Sequence, residues 1–220
     1  MKAAVINQYG DSHQLEVIDM AVPVIQADEA LVENVATSIN PIDYKARQGL
    51  LQGMFQWQLP VVLGWDVAGT IIAVGDDVND FHVGDDVFAR PDIDATGKNG
   101  SYAEYTAVKA NKLAYKPANI SFEEAAAVPL AGLTALQMLR QLQVTAGQKV
   151  LIQAGAGGVG IYAIQLAKKL GAYVATTASE ANRDFVMGLG ADQVIDYHQN
   201  RIVDVLSDYD AVFDLSLIHI

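Results

Sequence analysis

Two rhythms of apolar and polar positions run along this chain, and they change over near residue 121. Before it, apolar residues come in short blocks: KAAVI (2–6), EALVENVATSI (29–39), VAGTIIAVG (67–75), DVFA (86–89) and YAEYTAV (102–108). Gly, Asp and Asn separate the blocks, so each reads as a β-strand that ends in a turn. Short strands at this spacing predict a barrel-like or sandwich-like β domain. After the change, SFEEAAAV (121–128) opens with Ser121 and sets Glu124 three residues on, the pattern of a capping box at a helix start. LAGLTALQMLRQLQV (130–144) continues it with Leu133, Leu136 and Leu139 at helical spacing.

From residue 149 strand and helix patterns alternate. KVLIQA (149–154) predicts a buried strand, VGIYAIQLAKKLGA (159–172) a helix ending at Gly171, YVATTA (173–178) a second strand and SEANRDFVMGLGA (179–191) a second helix. QVIDY (193–197), RIVDVLSD (201–208) and YDAVFDL (209–215) continue as strand, short helix and strand. Such alternation implies a parallel, doubly wound sheet. The expected class is therefore α/β: a β-barrel domain over residues 1–120 and a doubly wound domain over 121–220, with the boundary in or near 112–130.

Composition narrows the chemistry. The 220 residues suffice for one large domain or two small ones, and 51% hydrophobic with 18% charged residues fits a packed core rather than disorder. A net charge of −12 argues against nucleic acid or an anionic membrane as partner. There is no cysteine, so disulfides, thiolate nucleophiles and cysteine-ligated metals are excluded. His13, His82, His198 and His219 are scattered, no two at ligand spacing on one element, and no metal site is expected. The N-terminal MKAAVINQYG lacks the apolar core of a signal peptide and no stretch approaches a membrane span, which reads as a soluble cytoplasmic protein.

The glycines carry the most specific signal. Gly155, Gly157 and Gly160 in AGAGGVG (154–160) fit G-x-G-x-x-G, and they stand where a strand gives way to a helix, the context in which that motif binds a dinucleotide. Gly155 is expected to permit the tight turn and Gly157 to let backbone N–H groups approach a pyrophosphate. Gly158 and Val159 are cofactor-binding candidates with them, and Gly160 lets the helix pack close to the sheet. A tight strand-to-helix turn without a ligand is the plain alternative. Enzymes that prefer NAD usually place Asp or Glu at the end of the second strand to hold the ribose 2′-OH. Here Thr176–Ser179 contains no acid, and Ser179 with Arg183 suits a 2′-phosphate, which favours NADPH. Glu180 stands one residue on, where a small shift would present an acid; Ser179 also reads as an N-cap and Arg183 as solvated surface.

Together with SINPIDYKARQG (38–49), LPVVLGWDVAGTIIAVGDDVNDFHVGDDVFA (59–89), GSYAEYTAV (100–108), AAAVPLAGLTAL (125–136) and LGADQVIDY (189–197), these motifs resemble the medium-chain dehydrogenase/reductase superfamily, in its zinc-independent quinone oxidoreductase branch. The resemblance covers about residues 1–214. It implies a GroES-like barrel, a Rossmann domain and a cofactor cleft between them. In zinc-dependent relatives a cysteine lies near the place of Ser38–Asn40 and a His-Glu pair follows the glycine matching Gly64; here that pair is Trp65–Asp66. The cysteine-rich lobe is also absent, since ARPDIDATGKNGSYAEY (89–105) has no thiol. A catalytic zinc needs three protein ligands, and the sequence does not supply them.

The resemblance thus implies hydride transfer from NADPH to a quinone or an α,β-unsaturated carbonyl, with a homodimer as the whole protein. Asn40, Asp43, Tyr44 and Lys45 would line the cleft; Lys45 or Tyr44 would donate to the developing enolate, and Tyr44 would pass a proton. Turn chemistry explains Asn40 and Asp43 equally well, and barrel packing explains Tyr44 and Lys45. Thr134 resembles the residue at the nicotinamide end and Tyr197 the one near the adenine ribose phosphate, while Phe55 and Trp57 are candidates for the pocket mouth. Relatives continue beyond AVFD, so the resemblance also implies a C-terminally truncated chain in which Leu215–Ile220 is partly non-native. Its four parallel strands would stand in the order 3-2-1-4. A non-catalytic NADPH-binding sensor or structural protein, and a zinc-free alcohol dehydrogenase-like enzyme, are the alternative functions.

Overall fold

The computed structural model describes residues 1–215. Contacts within it gather into two compact units, Met1–Leu130 and Ala131–Ile220.

The first unit runs β1 (Lys2–Ile6), β2 (Leu15–Asp19), β3 (Glu29–Ala36), α1 (Pro41–Arg47), β4 (Val61–Val62), β5 (Val67–Val74), β6 (Asp86–Ala89), β7 (Tyr105–Lys109), β8 (Leu113–Tyr115) and α2 (Phe122–Ala126). A five-stranded sheet has the order β7-β3-β5-β6-β8 and a three-stranded sheet the order β2-β1-β4, with every pairing antiparallel. Alternation along the strands brings Ala30, Val32, Val67, Ile71, Val87 and Val108 into one buried cluster. All five strands expected from the sequence are present. β7 begins at Tyr105 rather than Tyr102 because Tyr102 and Ala103 are spent elsewhere: Tyr102 N–H donates to Leu63 O, and Ala103 bridges Ala3 of β1. β2 was not expected, since its alternation faces solvent at nearly every position.

The helix after residue 121 is broken in two. The capping box forms as expected: Glu124 N–H donates to Ser121 Oγ at 3.2 Å and Ser121 N–H to Glu124 Oε2 at 2.8 Å. α2 then stops, and α3 (Pro129–Gln141) starts at the proline, which has no N–H to continue α2 but suits the first turn of a new helix. Ala125 and Ala126 bury against Ala68 of β5. That packing draws residues 121–130 into the first unit, so the contacts divide after Leu130, at the end of the 112–130 stretch in or near which the sequence sets the boundary.

The second unit continues with β9 (Lys149–Ile152), α4 (Gly158–Lys169), β10 (Tyr173–Ala178), α5 (Arg183–Gly188), β11 (Gln193–Asp196), α6 (Ile202–Val205) and β12 (Ala211–Phe213). Its parallel sheet has the order β11-β10-β9-β12, the expected 3-2-1-4. One face buries Val150, Ile152 and Val174 against Ala135, Leu139, Ala163, Ile164 and Val186; the other buries Leu151, Ala175 and Ile195 beneath Ile202 and Leu206. α4 ends at Lys169, Leu170 caps it, and Gly171 follows at φ +86°, the left-handed residue just past the helix. Because the strands are parallel, their C-terminal ends share one edge of the sheet. The tail from Ser216 on, with His219, lies outside the described residues. Among the described residues no helix is long and apolar enough to cross a membrane.

Candidate functional site

Two groups of residues carry the chemistry. The first gathers around α1. Asn40 caps the helix, Pro41 follows it, and Asn40 N–H donates to Asp43 Oδ2 at 2.5 Å. This helix was not expected; the Asn-Pro step and the Asp three residues on were its signal. The Asn40 amide turns inward and donates to Asp66 Oδ2 at 2.6 Å and to Ser38 Oγ at 3.0 Å. Ser38 Oγ donates to the same Asp66 oxygen, and Leu130 N–H donates to Oδ1 at 2.6 Å. Asp66 is 0% exposed and, among the described residues, forms no ion pair; three neutral donors hold its carboxylate, with a weaker attraction from Arg90. Burial pushes its carboxyl above the usual range, against these hydrogen bonds.

Asp43 is 3% exposed, on the inner side of α1. Burial raises its carboxyl from 3.8 to about 6, opposed chiefly by the Asn40 N–H, and nearby Asp66 adds to the rise. Its Oδ1 and the Tyr102 hydroxyl are buried and interact with each other, though not in the alignment of a good hydrogen bond. The two carboxylates push the Tyr102 hydroxyl further up, after burial itself. Beside this centre a cavity of about 410 Å³ opens, lined by Asn34, Thr37, Ile39, Ser101 and Tyr102 among others.

Asn40 and Asp43 thus come together with Ser38, Asp66 and Tyr102. Tyr44, on the same helix, is 43% exposed and Lys45 half-buried, and neither joins this hydrogen-bonded group. Asp66 and Tyr102 were not singled out as site residues; an Asp inside the apolar run VVLGWDVAG was the available signal. Phe55 and Trp57 stack at 4.7 Å and both pack near Trp65, with Trp57 Nε1 donating to Ile93 O at 3.3 Å, so they form part of the barrel core.

The second group lies at the C-terminal edge of the parallel sheet. After β9 the chain turns through Gln153–Gly157 into α4. Ala154 N–H donates to Thr177 Oγ1 at 2.8 Å and Gly155 N–H to Thr177 O at 3.0 Å. The left-handed residue of the turn is Ala154, at φ +52°, and not Gly155. Gly155 is required for another reason: a Cβ there would meet the Thr176 side chain and, at 2.9 Å, Ile164 Cδ1. Gly160 brings the helix close to the turn rather than to a strand: a Cβ would strike Ala154 O and stand 2.7 Å from Gly155 Cα.

Gly157 and Gly158 differ. Both are exposed; a Cβ on Gly157 would find only Ala154 O, at 3.2 Å, and one on Gly158 nothing within 4 Å. The first intrahelical bond reaches Ile161, so the N–H groups of Gly158, Val159 and Gly160 head the helix. An open, positively polarised helix end beside two side-chain-free residues fits a pyrophosphate.

Ser179 follows the end of β10 and Tyr197 the end of β11, and Ala178 pairs with Asp196, so the two adjoin along the edge. Tyr197 is half exposed and lies against His198, ring centroids 4.3 Å apart. Ser179 precedes the turn Glu180–Asn182 without capping it through its side chain. Arg183 is not solvated surface alone: Nε donates to Glu180 Oε2 at 2.8 Å and Nη1 to Val194 O at 3.3 Å. Thr134 sits half-buried on α3. Among the described residues no cluster of His, Cys, Asp and Glu could hold a metal ion.

Comparison with known proteins bears on these groups. The quinone oxidoreductase of Coxiella burnetii has 41% identity, a TM-score of 0.89, and coverage of 98% of this chain and 68% of its own. The chain belongs to the medium-chain dehydrogenase/reductase superfamily. Residues 26–118 match the alcohol dehydrogenase GroES-like domain and residues 158–218 the zinc-binding dehydrogenase family. The superfamily member from Arabidopsis thaliana called NADPH-dependent alkenal/one oxidoreductase, chloroplastic, is 43% identical over 97% of this chain. The Escherichia coli quinone oxidoreductase solved with NADPH matches at TM-score 0.80 and 33% identity, over 93% of this chain and 61% of its own. This chain spans 57% of the length of the Arabidopsis relative.

Proposed function

We propose that this chain carries the barrel and dinucleotide-binding parts of an NADPH-dependent reductase that passes hydride to the carbon–carbon double bond of an enone or alkenal, or to a quinone, without a catalytic zinc. The observation that carries the reading is the turn at 153–160, closely packed at Gly155 and Gly160 and open where Gly157 and Gly158 stand. The names of the relatives support the acceptor class and the cofactor. The absence of zinc is supported by Asp66, whose two oxygens already accept three hydrogen bonds, and by serine and asparagine where a zinc site would need sulfur or nitrogen ligands.

In this reading NADPH supplies the hydride. The N–H groups of Gly158, Val159 and Gly160 bind the pyrophosphate, and Ser179, Arg183 and Tyr197 take the ribose phosphate. Thr134 positions the nicotinamide end. Within the barrel unit Asn40 and Asp43 hold α1, which carries Tyr44 and Lys45, and Asp43 is itself buried. Tyr44 and Lys45, which reach solvent, donate to the oxygen that gains negative charge as hydride arrives at the β-carbon. The test is NADPH oxidation with an alkenal and with a quinone, with and without a chelator. Acceptor-dependent oxidation that survives the chelator and is lost in Gly157→Asp is expected. Failure with both acceptors, or loss on chelation, overturns the reading.

A further inference from the structure

Arg183, the side chain best suited to a 2′-phosphate, is held by an acid of its own chain. Glu180 opens the turn that follows β10, and Arg183 closes it and begins α5. Arg183 Nε donates to Glu180 Oε2, and Nη1 reaches across to Val194 O of β11. Two of the five guanidinium N–H groups are thereby engaged and three remain. The guanidinium thus spans from the turn after β10 to β11, the two strands that Ser179 and Tyr197 follow, with its Nε side facing a carboxylate.

We propose that Glu180 is a specificity-determining residue: it competes with the 2′-phosphate of NADPH for Arg183 and so holds down the preference for NADPH over NADH. This inference rests on the reading of Ser179 and Arg183 as the ribose end of the dinucleotide site. Its physical content is simple. A 2′-phosphate brings negative charge beside a carboxylate in a chain that already carries −12, and it must share or displace the Glu180 bond to gain the Arg183 fork. NADH brings a 2′-hydroxyl instead, and a carboxylate accepts a hydrogen bond from it. The same residue thus disfavours one cofactor and serves the other. Both side chains are partly exposed, at 38% for Arg183 and 67% for Glu180, so the pair contributes little to folding and opens at little cost.

The experiment titrates 2′-phospho-ADP-ribose and ADP-ribose into the chain by calorimetry, which needs no nicotinamide and no turnover. Glu180→Gln is expected to raise the affinity ratio in favour of the 2′-phosphate by roughly threefold to fivefold, the worth of one exposed ion pair. The gain should shrink at high salt, and the melting temperature should not move. Arg183→Ala is expected to abolish the preference for the 2′-phosphate. An unchanged ratio in Glu180→Gln, with the wild-type preference present and lost in Arg183→Ala, overturns the role of Glu180 and leaves the NADPH reading standing. A wild-type chain that binds neither probe, or an Arg183→Ala variant with its preference intact, overturns both.

Discussion

Asp66 has no exposed surface and, among the described residues, no ion pair, and its carboxylate is held by three donors from two segments of the barrel unit, Ser38 and Asn40 before α1 and Leu130 on α3. Removing the carboxylate strands all three. Asp66→Ala is expected to cost about 3–5 kcal/mol, each buried donor left unpaired contributing about 1–3 kcal/mol less any relaxation. Denaturant unfolding followed by the fluorescence of Trp57 and Trp65 measures it; a cost under about 1 kcal/mol would show that the donors find other partners. Asp43 makes a different case. Its folded carboxyl binds a proton up to about pH 6, whereas unfolded it releases the proton near 3.8. The fold therefore favours the protonated form. The contribution of Asp43 to stability is therefore largest below about pH 4, falls as pH rises towards 6, and stays lower above it by about 3 kcal/mol. Asp43→Asn removes this slope. Unfolding free energies of the two proteins at pH 4, 5, 6 and 7 are expected to converge at low pH and to separate at high pH, with the variant the more stable; parallel curves would contradict it.

At the scale of elements, the turn into α4 separates packing glycines from open ones. Gly160→Ala forces a methyl between the helix and the turn and is expected to lower stability by about 1–3 kcal/mol. Gly158→Ala meets no atom and is expected to leave stability unchanged or raise it by up to about 1 kcal/mol, while weakening binding of NADPH. Thermal melting and an NADPH titration on the two variants distinguish these roles; equal destabilisation would mean that the helix start is not open. The alternation of strand and helix after residue 149 made this element legible in the sequence, because each piece buries one face against the same sheet and so keeps its period. The capping box at Ser121 was legible for the same local reason. What the sequence did not reveal depends on distant partners. α1 looked like a turn because its buried face is one Asp and one Ala, with no apolar stripe. The Arg183–Glu180 bond needs the turn between them to bring Nε back to the acid, and the left-handed residue proved to be Ala154 because the hydrogen bonds to Thr177, not the absence of a side chain, fix that turn.

For the whole molecule, the motifs that placed the chain in its superfamily lie on both units, and the glycine-rich turn and the Asp66 centre each fold within one of them. The reaction proposed for the parent of this chain is hydride transfer to the β-carbon. NADPH deuterated at its transferable position, incubated with an alkenal and the metal-free protein, tests it through the product. The account expects a saturated aldehyde with one deuterium on the β-carbon and a solvent proton on the α-carbon, analysed by mass spectrometry and NMR. An allylic alcohol with deuterium on the carbonyl carbon would contradict it, as would an alkenal recovered without label.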